Sequence, residues 1–153
     1  ELALIKGGGA AHAREKVVDA AAEQFVVVAD PSKEASLLDR PVAVEVVPDA
    51  RSTVRRALRD LGGTPTLRAA ERKDGPVVTD NGNLVLDCDF GTISDPEALA
   101  TDLATIPGVV EHGLFVGLAD EVHVGRPDGV TVRTAVANIL IDLQPTVSGC
   151  DGS

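Results

Sequence analysis

The chain has 153 residues, and its 14 Lys and Arg against 24 Asp and Glu give a net charge of 14 − 24 = −10. This length suits one ordinary domain or two small ones, and 44% apolar residues can form a real core, which must be aliphatic because only 2% are aromatic. The charge argues against binding to nucleic acid or anionic membranes, and no apolar stretch approaches the roughly 20 residues of a membrane-spanning helix.

The charged residues have an unusual balance, with 15 Asp against 9 Glu and 10 Arg against 4 Lys. An Asp-rich, Lys-poor surface resembles that of proteins from salt-loving microbes, because high salt screens the repulsion between its charges. A merely acidic cytoplasmic protein is the alternative. Cys88 and Cys150 lie far apart without metal or redox spacing, so we expect free thiols in a reducing cytoplasm.

The chain contains no Met. It begins at an apolar run, residues 2–5, which predicts the end of a strand. We interpret this start as a point partway through a larger protein, with ordinary trimming as the alternative. A glycine turn follows, and then a helix is predicted over 12–24, with Val17 and Val18 on its apolar side. The continuous apolar run 25–29 predicts a strand buried on both faces, as in a parallel sheet.

The next part has the order strand, helix, strand, strand, helix, strand, which is the split βαβ of a ferredoxin-like unit. Asn81-Gly82 is a strong hairpin signal within it, and Ser94 or Asp95 is a candidate N-cap for its second helix. The predicted elements are, in chain order, 42–47, 51–61, 64–72, 84–86, 94–106 and 109–115.

Two short strands, 121–124 and 130–133, follow the ferredoxin-like unit and would return the chain to the first layer. The tail from Thr134 carries an apolar patch at 139–141, and we expect an extension of uncertain structure there.

A glycine turn before a helix suits an anion, because its backbone N–H groups can approach a ligand and a neighbouring lysine adds positive charge. A carboxylate one turn into that helix would face the same anion-binding position beside the glycine turn. A lysine directly after the next strand would lie near both, since the carboxyl ends of neighbouring parallel strands line one crevice. Taken singly, each feature is also typical of a plain turn or a solvated surface. These candidate residues are Lys6, Gly7, Gly8, Gly9, Glu15 and Lys33.

Other residues with reactive side chains form no recognisable arrangement. His12 could act as a base, but at a helix opening a histidine is more often solvated or capping. His112 and His123 have no metal-ligand spacing with it. Asp87 and Asp89 would point the same way from one strand, and we expect them to face solvent. The sequence predicts no metal or cofactor site.

Several motifs in series resemble the A-type ribose-5-phosphate isomerases, over about residues 1–133. They are Ile5-Lys6-Gly7-Gly8-Gly9-Ala10-Ala11 with Arg14-Glu15-Lys16, VVVADPSK at 26–33, PVAVEVVP at 41–48, VVTDNGNLVLD at 77–87, IPGVVEHGLF at 106–115 and GRPDG at 125–129.

The resemblance implies an aldose–ketose isomerase of the pentose phosphate pathway that needs no cofactor or metal. It would interconvert ribose 5-phosphate and ribulose 5-phosphate through an enediolate. Glu15 matches the family's general base, and Lys6 with the glycine turn matches the loop that contacts substrate, where Lys6 would stabilise enediolate charge. Lys33 matches another substrate-contacting lysine. The family also implies a homo-oligomer, a dimer or tetramer, in the cytoplasm.

The fold class implied is α/β, a partial Rossmann-like layer plus a ferredoxin-like α+β (βαββαβ) domain. Residues 1–40 and 116–133 would belong to the Rossmann-like active-site domain, 41–115 to the ferredoxin-like domain, and 134–153 to a C-terminal extension. The family's Gly-Thr-rich phosphate loop and its Asp-Gly-Ala-Asp-Glu segment do not occur in this sequence. We therefore expect this chain alone to be weakly active or inactive. A non-catalytic phosphosugar-binding or regulatory module is the alternative function.

Overall fold

The structure, a computed structural model, describes residues 2–71, 74–134 and 138–140. No helix within these residues is long and apolar enough to cross a membrane. The α-helices are α1 (His12–Ala21), α2 (Arg51–Asp60) and α3 (Pro96–Ala104). The strands are β1 (Ala3–Ile5), β2 (Val26–Ala29), β3 (Glu34–Ala35), β4 (Val42–Val46), β5 (Thr64–Leu67), β6 (Leu84–Asp89), β7 (Val109–His112), β8 (Leu114–Val116), β9 (Glu121–Arg126), β10 (Gly129–Arg133) and β11 (Asn138–Leu140).

The predicted ferredoxin-like unit is present as an antiparallel sheet with strand order β5-β6-β4-β7. Its six elements follow one another as β4, α2, β5, β6, α3 and β7, so the split βαβ order is confirmed. One face of the sheet carries the alternate valines of β4, which are fully buried in one core with residues of α2 and α3. This core includes Val42, Val44, Val46, Val54, Leu58 and Leu103.

Several of these elements begin or turn at residues that local sequence signals predict. Asp95 is the N-cap of α3, because its carboxylate accepts a hydrogen bond from the backbone N–H of Ala98 at 3.0 Å. The Asn81-Gly82 turn is also confirmed, with backbone bonds of 2.9 Å from Thr79 to Asn83 and from Gly82 to Thr79. The predicted strand 64–72 is shorter than expected, since β5 ends at Leu67.

The remaining strands form two further sheets, with orders β3-β11-β1-β8 and β10-β9-β2. β1 is buried on both faces: Ala3 and Ile5 join the core of the ferredoxin-like unit, while Leu4 joins a second core that contains Phe115. β9 pairs in parallel with β2, so the strand at 121 does return to the first layer. Within the tail, β11 pairs in parallel with β1, so residues 138–140 form a strand beside β1.

The apolar surfaces predicted for the first helix and strand are wrong. Val28 is 76% exposed and Val26 is also exposed, because β2 buries only the face that carries Val27. Val17 and Val18 of α1 are exposed too. The helix instead buries its first turn, which lies over the ferredoxin-like sheet, and hydrophobic periodicity alone does not reveal that contact.

The single strand predicted over 109–115 is two strands in different sheets. β7 completes the ferredoxin-like sheet, and β8 pairs with β1. Gly113 lies between them and bonds to both layers: its N–H donates to Ala43 O at 2.7 Å, and its carbonyl accepts from Lys6 N at 2.8 Å. A Cβ at this position would lie 2.1 Å from Lys6 O, so only glycine permits the close approach.

We therefore expect Gly113→Ala to lower the free energy of unfolding by about 2 kcal/mol or more, because backbone must move to admit the methyl group. For a chain of this size that corresponds to a fall of roughly 4–8 °C in Tm, measured by thermal unfolding in molar KCl. Gly125→Ala is the matched control, since nothing lies within 4 Å of its added Cβ. Equal Tm values for the two variants would contradict the assigned role of Gly113.

Candidate active site

Lys6 and Glu15 meet at the end of β1, as the sequence predicts. The Lys6 ammonium lies 3.4 Å from Glu15 Oε2 and 3.3 Å from Asp19 Oδ2. Asp19 follows Glu15 by four residues on α1, so both carboxylates lie on one side of the helix and share the same cation. The site thus places a carboxylate directly beside an ammonium group.

The Lys6 side chain is only 12% exposed, and aromatic rings hold its ammonium in place. Its Nζ lies 4.7 Å from the centroid of the buried Phe115 ring and 5.3 Å from that of Phe25. A cation over a ring face is attracted by the ring quadrupole, and the contact also limits the rotamers of the lysine. Phe115 and Phe25, which are two of the three Phe in the chain, therefore line the site.

The glycine turn is shaped by close packing against the ferredoxin-like sheet. Gly7 has φ +110°, which side chains rarely tolerate, and a Cβ there would lie 2.9 Å from Ala43 Cβ and 3.0 Å from His12 Nδ1. Gly8 is half-buried and Gly9 is exposed, so the turn leads from the sheet to solvent. Glycine at residue 7 is a steric requirement and not a mark of flexibility.

Arg68 from the end of β5 holds the glycine turn from the sheet side. Its Nη1 donates to the carbonyls of Gly7 at 2.8 Å and Gly8 at 2.9 Å. Its Nε donates to Asp87 Oδ2 at 2.8 Å, and its Nη2 bonds to Asp87 Oδ1, so the guanidinium and carboxylate form a two-point pair. The expectation that Asp87 faces solvent is therefore wrong. The strand does alternate as predicted, but the turn covers its polar face.

Two residues that flank Glu15 tie α1 to the same sheet. Lys16 Nζ donates to Glu111 Oε1 and to the His112 carbonyl, both at 2.6 Å. On the other side, Arg14 donates to Asp80 Oδ2 at 3.1 Å and to Asn81 Oδ1 at 3.2 Å. Because both contacts leave α1 from positions beside Glu15, they fix the turn of helix that carries this carboxylate.

Glu45 organises the loop that receives Arg14. This carboxylate is fully buried, and its Oε1 accepts hydrogen bonds from Thr79 Oγ1 at 2.8 Å, Asn81 Nδ2 at 3.0 Å and Asn83 Nδ2 at 2.8 Å. Thr79 Oγ1 in turn accepts from the N–H groups of Asn81 and Asn83 at 3.2 Å. The hairpin turn is thus built around one buried carboxyl group.

The histidine at the opening of α1 is neither solvated nor capping, so that expectation is wrong. His12 is fully buried under the glycine turn, and neither ring nitrogen has a hydrogen-bond partner among the described residues. Burial lowers the pKa of His12, so the ring is neutral near pH 7. It does not reach the opening of the site, and its role is to fill the space below Gly7.

Burial also perturbs the groups around Lys16. It lowers the pKa of Lys16, and this effect outweighs the hydrogen bond that Lys16 donates to Glu111, which would raise it. Burial alone would raise the pKa of Glu111, but the hydrogen bonds from Lys16 and from the His112 N–H bring it below its usual value. Burial and the nearby ammonium lower the pKa of His112 to about 4. These groups form an ion pair with a neutral histidine beneath α1.

Lys33 ends the short 3₁₀ helix Pro31–Lys33, which Asp30 caps by accepting from the Ser32 N–H. In the parallel pairing of β1 with β11, Ile5 lies opposite Leu140. The antiparallel register of β11 with β3, continued by one residue, brings Lys33 to the level of Leu140. Lys33 therefore stands at the same end of the sheet as Lys6, two strand spacings or roughly 10 Å across.

The other candidate groups lie apart from this site. Asp89 accepts from the Gly91 N–H at 2.8 Å, and His123 pairs with Glu121 at 2.7 Å. Cys88 is buried, carries a free thiol, and has its pKa raised to about 12 by burial. Cys150 is outside the described residues. Within 2–71, 74–134 and 138–140, no three His, Cys, Asp or Glu side chains are grouped to hold a metal.

Sequence reasoning missed three side chains of the site. Asp19 carried a usable signal, since a carboxylate four residues after Glu15 on a helix must share its side. Arg68 and Arg14 carried none, because each reaches a partner more than 50 residues away along the chain.

This arrangement can remove a proton from carbon at the Glu15 carboxylate and stabilise the resulting negative charge at Lys6. The chain is also similar along its length to proteins of known chemistry. A family model described as ribose 5-phosphate isomerase A (phosphoriboisomerase A) matches residues 1–129, and the chain belongs to this family.

The relatives include a ribose-5-phosphate isomerase A of Haloarcula marismortui, 76% identical over 131 residues. One from Methanosarcina acetivorans is 59% identical over 129 residues. These matches cover 86% and 84% of this chain but 58% and 55% of the relatives, so the chain spans a little over half their length.

Solved structures agree with the family assignment. The ribose 5-phosphate isomerase A of Methanocaldococcus jannaschii superposes with a TM-score of 0.83 at 45% identity. A D-ribose-5-phosphate isomerase in complex with phospho-erythronic acid also gives 0.83, at 41% identity. Each alignment covers 87% of this chain and 59% of the other. The mixed α/β fold with its ferredoxin-like sheet is therefore the fold of this family.

The buried neutral histidines predict acid sensitivity. An unfolded chain binds a proton at His112 below about pH 6.5, whereas the folded chain does so only near pH 4. Stability should therefore fall as the pH drops through this window, by up to about 1.4 kcal/mol per pH unit for this group. We expect His112→Gln to weaken the Tm decrease between pH 7 and 5.

His123→Gln is the matched control for this measurement, because His123 is one-third exposed and pairs with Glu121 at the surface. Unlike His112→Gln, it should not weaken the Tm decrease between pH 7 and 5. An unchanged dependence in His112→Gln would show that His112 is not held neutral in the folded chain.

Proposed function

We propose that this chain carries the proton-transfer centre of an aldose–ketose isomerase that interconverts ribose 5-phosphate and ribulose 5-phosphate. The proposal depends on one observation. The Glu15 carboxylate lies 3.4 Å from the Lys6 ammonium, next to the glycine turn. Family membership supports the substrate class, as does the relative solved with phospho-erythronic acid, a phosphorylated sugar acid.

In the proposed reaction Glu15 takes the proton from C2 of the open-chain aldose and returns it to C1, while the hydroxyl proton moves from O2 to O1. C1 gains the hydrogen that C2 loses, so the step needs no external oxidant or reductant. One carboxylate suffices because the two carbons are adjacent. The Glu15 side chain is 30% exposed, which leaves it accessible to a sugar.

Lys6 stabilises the enediolate in this proposal. In the free site its charge is shared by Glu15 and Asp19, two carboxylates against one ammonium. When the Glu15 carboxylate accepts the proton it becomes neutral, and the positive charge of Lys6 is then available to the enediolate oxygen. Proton transfer and anion stabilisation are thereby coupled at a single ion pair.

We also propose the setting in which the activity operates. Lys33 adds positive charge to the substrate site, in an otherwise acidic protein of the cytoplasm whose full-length form is a homo-oligomer. Residues 41–115 form the ferredoxin-like domain, apart from the start of β8, which pairs with β1, and 1–40 with 116–133 belong to the Rossmann-like domain. The Asp-rich composition and the haloarchaeal relatives support a protein adapted to high salt, working in the pentose phosphate pathway.

The role of Glu15 is tested in a hybrid enzyme in which residues 1–129 of this chain replace the matching segment of the Haloarcula marismortui relative. Glu15→Gln should lower kcat by roughly 10²- to 10⁴-fold, because the amide cannot accept the proton. The measurement is the rate of ribulose 5-phosphate formation in molar KCl.

Glu23→Gln makes the same charge change at an exposed residue and should leave kcat unchanged. If Glu15→Gln kept the wild-type rate and ribose 5-phosphate still bound, the site would instead be a non-catalytic phosphosugar-binding module. A binding module needs the lysines and glycines but no base.

The isolated 153-residue chain should show little or no turnover in the same assay, because the family's Gly-Thr-rich phosphate loop does not occur in its sequence. The hybrid enzyme, which contains that region from the relative, is the positive control. Turnover by the isolated chain approaching that of the hybrid would overturn this expectation.

A further inference from the structure

We propose that Arg68 is a positioning residue of the isomerase site, which aims the backbone N–H groups of Gly8 and Gly9 at the anion bound beside Lys6. This inference rests on the proposed function, because it assigns to Arg68 a part in holding that substrate. Arg68 belongs to the ferredoxin-like sheet and touches none of the ionised side chains around Lys6, so its effect passes through the glycine turn.

The first step is the direction of the peptide groups. No peptide bond among the described residues is cis, and in a trans peptide the carbonyl and the following N–H point in opposite directions. Arg68 Nη1 binds the carbonyls of Gly7 and Gly8 at 2.8 and 2.9 Å. The N–H groups of the next residues, Gly8 and Gly9, must therefore point away from Arg68.

The second step is that these N–H groups are available. Among the described residues, no backbone or side-chain acceptor takes the N–H of Gly8 or Gly9. Gly9 is exposed and Gly8 is half-buried, and both directly follow Lys6 and Gly7 at the opening of the site. Successive free N–H groups beside an ammonium suit an oxygen anion, and the missing side chains let it approach closely.

The third step is the rigidity of the donor. The Arg68 side chain is 15% exposed, and Asp87 holds its Nε and Nη2 in a two-point pair. Asp87 lies opposite Ala43 on β4, the residue against which Gly7 packs. The guanidinium is thus fixed to the sheet at the place where the turn rests, so it sets the orientation of both peptide groups before substrate arrives.

Lysine cannot replace arginine here. A lysine keeps the charge, but one ammonium on a flexible stem cannot make the planar contacts with two carbonyls and a carboxylate at once. A purely electrostatic role for Arg68 would survive Arg68→Lys, whereas an orienting role would not.

The test uses the hybrid enzyme in molar KCl. Arg68→Gln and Arg68→Lys should each lower kcat/KM by roughly 10- to 100-fold, the loss expected for charge-assisted hydrogen bonds. Asp87→Asn, which frees Arg68 without removing it, should lower kcat/KM in the same direction. Arg55→Gln is the matched control, because Arg55 is exposed on α2, which packs on the opposite face of the sheet.

A second measurement separates orientation from stability. In a ¹⁵N-glycine-labelled hybrid carrying Glu15→Gln, chosen because its turnover should be slow, ribose 5-phosphate should shift the amide signals of Gly8 and Gly9. Adding Arg68→Gln should abolish these shifts at the same ligand concentration, while Arg55→Gln should preserve them.

The inference is overturned if Arg68→Gln lowers Tm but leaves kcat/KM and both amide shifts equal to those of Arg55→Gln, since Arg68 would then only tie the layers together. This outcome is distinct from failure of the proposed function. In that case the unmodified hybrid would not isomerise ribose 5-phosphate, or Glu15→Gln would leave its rate unchanged.

Discussion

The burial of a polar sheet face organises the rest of this structure. The ferredoxin-like sheet presents Glu45, Asp87 and Glu111 on the side away from its own helices, and the glycine turn and α1 lie on that side. Carboxylates buried without partners would be costly, so cationic and amide groups from distant parts of the chain must meet them. The same contacts fix the positions of Lys6 and Glu15. The pairing of the buried carboxylates therefore determines the geometry of the candidate site.

Much of the fold could be predicted because its signals are local. Asp95 as a helix cap, the Asn81-Gly82 turn and the alternation of β4 each depend on a few neighbouring residues. The pair of Lys6 and Glu15 was also predictable, since a glycine turn separates a strand end from a helix opening. Each of these features depends on residues that are close together in the chain, so it can be predicted without knowledge of the tertiary contacts.

The errors share one physical cause, which is that periodicity describes faces but not what covers them. The apolar Val17 and Val28 were expected to be buried and are exposed, while His12 and Asp87, expected near solvent, lie beneath other elements. The prediction of one undivided strand over 109–115 was wrong for a similar reason. Its change of sheet depends on contacts of Gly113 with Lys6 and Ala43, which are distant in sequence. Contacts between residues so far apart in the chain leave no periodic pattern in the sequence.

The crossing at Gly113 has a mechanical consequence. A single residue joins β7 to β8, and its two backbone bonds attach the end of β1 to β4, so this crossing contains no loop that could absorb rotation between the sheets. Opening one sheet locally would pull directly on the other, and the two parts should lose protection from hydrogen exchange together. The backbone around Lys6 and the glycine turn is thereby held by both sheets, and rearrangement at the candidate site falls to side chains.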